Sequence, residues 1–348
     1  MRSRYTARES ALSEHQDRIL SLWSQNLDGM TPPAAHTKLR HGYLANPAGP
    51  GLGVLLHDEA SGQPVGVQCL HARTFWQDGV AQHVAALADY AVGQAHRSLG
   101  PALTLMRAGL GLGASRFGFV YGFPNARSQA VCTRAGMQRV GGTTRYGKLL
   151  STRFLLRSPR RGAWWSWLAA PADIVLRLLD AARTLQHARG LHWSDAAPGD
   201  ARIDALWQQR DPRLLLSERS ARVLGWRYAP EGFPGWHVSV AEDAGGQPLG
   251  YVAWARRDDV VLISDFFCSR PEHDTCRLLT AFAGHMRRAR ASALSLEFYG
   301  CEAVARQLRH AGFFAKPGVS PLYVAAGQTH APADAQAWYV TGFDRDGD

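Results

Sequence analysis

The segment Val92-Gly93-Gln94-Ala95-His96-Arg97-Ser98-Leu99-Gly100-Pro101-Ala102 ends an apolar run in a short turn and starts a helical pattern at once. Such a turn aims successive main-chain amides at one point, where the dipole of the coming helix adds partial positive charge. A diphosphate suits that point. Gly100 lets main chain approach a phosphate with no side chain between, and Arg97 brings charge to the mouth of the turn. Taken by itself the segment also fits an ordinary strand-to-helix connection. About two dozen residues on, Tyr121-Gly122-Phe123-Pro124-Asn125-Ala126-Arg127-Ser128 closes another strand and opens another helix. In open α/β sheets ligands gather at such carboxyl ends of strands, so the two turns together mark a crevice for an anionic ligand.

The elements that hold these turns follow from apolar spacing. Ile19, Leu20, Trp23 and Leu27 form a helical stripe over Ser13 to Asn26, with Ser13 at the cap position. Gly53 to Leu56 and Val65 to Ala72 read as strands, joined in a hairpin by Asp58-Glu59-Ala60-Ser61-Gly62. Val84 to Val92 is a third strand. Leu99 to Leu112 is a helix whose early Pro101 sits where a missing amide hydrogen costs little. Phe117 to Phe123 is the next strand and Ser128 to Ala135 the next helix, stopped by Gly136.

The chain then repeats itself. Gly62-Gln63-Pro64-Val65-Gly66 recurs 184 positions later as Gly246-Gln247-Pro248-Leu249-Gly250. Asp89-Tyr90 returns as Asp265-Phe266, and Arg134-Ala135-Gly136-Met137 as His310-Ala311-Gly312-Phe313, both at an offset of 176. The change of offset places an eight-residue insertion near Thr74 to Val84, either a longer surface hairpin or a frame for a second substrate around Phe75-Trp76-Gln77-Asp78. The order of elements predicts an α/β (α+β) chain: a ligand-binding domain over 1–150, a connector over 151–199 and a degenerate copy over 200–348. In the copy, His273 stands for Arg97 and Cys276 for Gly100, with Glu272 and Asp274 adding negative charge, so no phosphate is expected there.

Composition narrows the class. At 46% hydrophobic and 20% charged, the 348 residues read as globular. The net charge of +10 comes almost wholly from dispersed arginines, without the clustered stripe and stacking aromatics of nucleic-acid binders. An anionic cofactor accounts for it instead. The N-terminus has no secretory-type apolar stretch, and no run approaches the roughly 20 apolar residues that span a bilayer. Cys69, Cys132, Cys268, Cys276 and Cys301 are scattered and lack metal spacing, which suits free thiols in the cytoplasm. The fourteen histidines form no metal-like cluster either, though His71 and His83 flank the insertion as candidate bases. The connector opens with Arg153, Arg157, Arg160 and Arg161 and continues through Trp164-Trp165-Ser166-Trp167-Leu168. It reads as a helix packed against a domain, with peripheral membrane contact as the alternative.

Arg97-Ser98-Leu99-Gly100-Pro101-Ala102 resembles the signature of the GNAT superfamily of acyl-CoA-dependent N-acyltransferases: Gln or Arg, two variable residues, Gly, one variable residue, then Gly or Ala. Val92 sits where that family closes its fourth strand, and Arg134-Ala135-Gly136-Met137 resembles its closing Gly-Phe region. The resemblance covers most of 1–150 and, more weakly, 200–348. It implies two tandem GNAT-like domains, each a mixed, mostly antiparallel sheet flanked by helices. It further implies acetyl-CoA or another acyl-CoA as cosubstrate and no metal, the coenzyme wedging between splayed fourth and fifth strands. Main chain of Tyr90, Ala91 and Val92 would hold the pantetheine arm, amides of Arg97, Ser98, Leu99, Gly100 and Ala102 the pyrophosphate, and Asn125 would touch the coenzyme. The implied activity is transfer of an acetyl or short acyl group to an amine of a small molecule, by direct attack on the thioester.

The departures are specific. Pro101 removes one possible donor. Where the family places an acidic Tyr, this chain has Cys132, a proton donor or a buried core thiol. The family's base positions carry Ala86 and Ala88, and strand alternation points Asp89 away from them unless a bulge re-aims it. The catalytic residues stay unassigned, and a non-enzymatic acyl-CoA-binding or scaffold protein is the competing reading.

Overall fold

The computed structural model describes residues 4–152, 165–188 and 190–345. The basic run from Arg153 to Arg161 and Trp164 lie outside them, as do the side chains of Trp165 and Trp167.

The leading half runs β1 (Tyr5–Ala11), α1 (Gln16–Asn26), α2 (Pro32–Thr37), a π-helical turn (Lys38–Leu44), β2 (Leu52–Asp58), β3 (Gln63–Gln77), β4 (Val80–Val92), α3 (Leu99–Arg116), β5 (Phe119–Gly122), α4 (Gln129–Ala135) and β6 (Gln138–Leu149). A long helix, α5 (Trp165–His187), leads to β7 (His192–Asp195), α6 (Ala201–Gln208), β8 (Leu216–Ser217) and α7 (Ala221–Arg227). The trailing half continues with β9 (Trp236–Glu242), β10 (Pro248–Arg257), β11 (Val260–Cys268), α8 (Pro271–Arg288), β12 (Ala293–Gly300), α9 (Glu302–His310), β13 (Phe314–Ala326) and β14 (Tyr339–Thr341).

Local chemistry explains the stops. Gly136 ends α4 at φ 104°, a left-handed cap that glycine adopts without strain. Asp78 and Gly79 turn the β3–β4 hairpin at φ 51° and 77°, the pair of left-handed residues a tight hairpin needs. Ser13 does not cap α1: the helix begins at Gln16 after His15, and no side chain caps it.

The fourteen strands form one sheet, ordered β1-β2-β3-β4-β5-β13-β6-β12-β11-β10-β9-β7, with β14 paired to β12 and β8 to β3. The halves exchange their last strands. β6 runs beside β12 from Thr144 opposite Phe298 to Leu149 opposite Ala293. Its counterpart β13 runs beside β5 from Gly122 opposite Tyr323 to Phe119 opposite Ala326. β6 and β13 also pair with each other, which fuses the halves along one hydrogen-bonded seam. The lengthened β3–β4 hairpin reinforces the seam: Phe75 and Trp76 pair with Ser217 and Leu216, and Arg210 lies 4.5 Å over the Trp76 ring. The insertion is therefore a docking hairpin, and Phe75, at 1% exposure, belongs to the core between the halves.

Candidate functional site

β4 and β5 run parallel only at Ala85–Val120 and Ala86–Tyr121. Past that rung they diverge. β5 stops at Gly122, and Pro124 has no amide hydrogen with which to extend the ladder. β4 is deflected by a bulge: Asp89 and Tyr90 together oppose Gln68 between the Val67–Ala91 and Cys69–Ala88 rungs. Asp89 takes φ 49° there.

The divergence leaves a cleft of about 710 Å³, inside the size range of small-molecule sites. Tyr90, Ala91, Val92, Arg97, Ser98, Leu99 and Ala102 line one wall and Asn125 the other. Gly100 does not line it, although a Cβ built there would meet open space.

At the cleft mouth the amide of Ala102 already closes the first turn of α3 onto the Ser98 carbonyl, and those of Arg97 and Ser98 bond within the preceding turn. The amides of Leu99 and Gly100 head the helix with no carbonyl one turn back to accept them. The Arg97 guanidinium braces the turn, Nε donating to the Val92 carbonyl at 3.0 Å and Nη2 to Asn26 Oδ1 at 3.0 Å. Across the cleft, Asn125 Oδ1 accepts the amides of Arg127 and Ser128, both at 3.1 Å, and so shapes the start of α4. The Tyr90 hydroxyl donates to the Ala102 carbonyl at 3.0 Å, tying strand to helix.

The bulge re-aims Asp89. Asp89 is among the lining residues, and its largely buried carboxylate accepts from Lys38 Nζ at 2.7 Å and from the Tyr43 hydroxyl. Lys38 and Tyr43 went unnoticed in the sequence because a π-helical turn far from β4 delivers them. Cys132 forms part of the cleft lining, and burial pushes its thiol up to about 11, so it is protonated at neutral pH. Neither candidate histidine lines the cleft: His71 is buried against Asn46 and the Tyr43 ring, and His83 is exposed, stacked on Phe117.

One wall comes from the far end of the chain. The Tyr121 hydroxyl donates to the Asp344 carbonyl at 2.9 Å, and Arg345 lines the cleft with its guanidinium 5.5 Å from the Phe123 ring centre.

The equivalent crevice of the trailing half, between β11 and β12, is filled. β14 pairs with β12 from Phe298–Thr341 to Gly300–Tyr339. The Tyr339 hydroxyl donates to the Phe266 carbonyl, and Tyr339 and Phe343 are fully buried. Asp265 lies at 0% exposure, bound by Arg219, Tyr251 and Thr341. Arg219 also reaches Asp344 at 2.9 Å, so two carboxylates share one buried guanidinium.

No family model matches this chain, and no curated protein matches it either. Solved structures do. A GCN5-related N-acetyltransferase from Anabaena variabilis superposes with a TM-score of 0.64 at 12% identity, over 92% of this chain and 72% of that one. A second, from Kribbella flavida, gives 0.60 at 15% identity over 93% and 71%. Saccharomyces cerevisiae N-myristoyltransferase with bound myristoyl-CoA gives 0.53 at 9% identity over 94% and 80%. The chain has the mixed α/β fold of these acyltransferases.

Proposed function

We propose that the leading cleft binds acyl-CoA and that the protein moves an acetyl or other short acyl group to an amine of a small-molecule acceptor. The carrying observation is the divergence of β4 from β5 with the amides of Leu99 and Gly100 at its mouth. Diphosphate sits at that helix start. The cleft-lining main chain of Tyr90, Ala91 and Val92 pairs with the amides of the pantetheine arm, as a strand would. Arg97 positions the turn, and Asn125 holds the opposite lip.

Asp89 is the proposed base. Lys38 and Tyr43 orient its carboxylate at the bulge, beside the cleft that the residue helps to line. The acceptor nitrogen attacks the thioester carbon, the C–S bond breaks, and the amine proton passes to Asp89 while CoA leaves as thiolate and takes up a proton from water. Cys132 is an apolar part of the lining. No metal enters this scheme. Five buried cysteines outside any disulfide favour a reducing compartment, the cytoplasm.

Titration calorimetry with acetyl-CoA, followed by thiol release on a panel of amines, tests the reading. Binding plus amine-dependent thiol release is expected. Binding without release would leave an acyl-CoA-binding protein, and no binding at millimolar coenzyme would remove the cleft from the argument.

A further inference from the structure

Helix α5 is built inside out. Its inward face is charged: Asp173 accepts the Thr152 amide at 2.6 Å and the Ser151 hydroxyl at 3.1 Å. Asp180 joins Lys148 at 2.9 Å, Arg183 at 3.3 Å, and Arg287. Lys148 is itself buried and donates to the Ala311 carbonyl, so these ions clamp the helix to the end of β6 and to α8. Its outward face is apolar. Ile174, Val175, Leu178, Leu179 and Leu185 are between 49% and 65% exposed, and they are five of the nine large exposed hydrophobics among the described residues. From Pro171 to Gln186 the one exposed charge is Arg177.

A soluble helix ordinarily buries its apolar stripe and wets its charges. Ion pairs hold this one with the stripe turned out, where a contiguous apolar patch marks an interaction surface. Among the described residues no helix is long and apolar enough to cross a membrane, so α5 lies along whatever it meets.

Charge identifies the occupant. The chain entering α5 carries Arg153, Arg157, Arg160 and Arg161, with no acidic residue between Arg153 and Trp164. Arg177 continues that sign within the apolar face, and the whole protein carries +10. A second copy would set arginine against arginine. An anionic phospholipid surface offers phosphates to the arginines and hydrocarbon to the leucines. We infer that α5 docks the protein on an anionic phospholipid membrane, flat in the interface, independently of acyl-CoA binding.

The experiment is co-sedimentation of the full chain with vesicles of equal parts phosphatidylglycerol and phosphatidylcholine, and with phosphatidylcholine alone. Binding to the anionic vesicles at least tenfold above the neutral ones is expected. Val175→Asp with Leu178→Asp should abolish it while the melting temperature and the affinity for acetyl-CoA stay unchanged. Equal sedimentation of the double variant, or no binding to anionic vesicles, overturns the inference. So does a concentration-dependent dimer, seen by light scattering in the wild type and lost in the variant, which would give the face to a second copy.

Discussion

The two crevices share a plan and differ in what occupies them. Each has a parallel strand pair that opens after a short rung, Ala86–Tyr121 in one and Ile263–Leu296 in the other. Each has an aspartate at the opening, held by a cation and a tyrosine: Asp89 by Lys38 and Tyr43, Asp265 by Arg219 and Tyr251. In the leading half the opening is a cleft and Asp89 lines it. In the trailing half β14 and the turn through Asp344 fill the opening, and burial raises the proton affinity of the Asp265 carboxyl. The same arrangement thus borders a cavity where the wedge is open and forms a fully buried ion pair where the wedge is plugged.

The largest test of that contrast is Asp344→Ala. It leaves Arg219 paired with Asp265 alone and strips the buried Ser217 hydroxyl and Thr341 amide of their acceptor, and urea unfolding should show a loss of about 1–3 kcal/mol, as for buried donors left unsatisfied. An effect below about 1 kcal/mol would deny the plug its role. Asp89→Asn is the counterpart in the open cleft. Amine-dependent thiol release should fall about 10²–10⁴-fold, the range for a lost general base, with acetyl-CoA affinity held within a few-fold. If Asp89→Asn unfolds the protein while turnover per folded molecule persists, the two aspartates are alike after all.

The remaining tests are smaller. Gly100→Trp sets a bulky side chain in the open space beside the first amides of α3 and should weaken acetyl-CoA by about tenfold, a change of about 1.4 kcal/mol. Cys276→Ser at the matching position of the plugged crevice should leave calorimetric affinity intact. Cys132→Ala should lower turnover less than about tenfold, because its thiol is protonated and supplies packing alone. Its alkylation by iodoacetamide should speed up only as pH approaches about 11, the value to which burial pushes it.

Much of the leading half was legible because its signals are local. The apolar spacing of β4, the early Pro101 and the stop at Gly136 each depend on a few neighbouring residues, and these elements form where spacing put them. The bulge at Asp89 was visible only as a condition, since it needs Gln68 on another strand to oppose two residues at once. The plug was harder. Trp338 to Asp344 reads as a last strand with an acidic tail, yet Asp344 is fully buried: it caps the turn at the Thr341 amide locally, and its other partners, Ser217 and Arg219, lie more than a hundred residues away. The charge changes at His273 and Cys276 bear on phosphate alone, whereas the pairing of β14 with β12 that fills the crevice rests on residues at the far end of the chain. α5 was readable as a helix, but its inversion depends on ion pairs with Lys148 and Arg287, which no periodicity reports.

The strand exchange bears on how the chain is made. Val120 and Tyr121 find their partners in Ala325 and Val324. A nascent polypeptide emerging from the ribosome therefore carries β5 with one bare flank for some two hundred further residues of synthesis, a template for illegitimate pairing with neighbouring chains. Pulse-labelled amide protection at Tyr121 would rise only after β13 has been translated, and truncations ending before Phe314 would clump rather than persist as half-molecules.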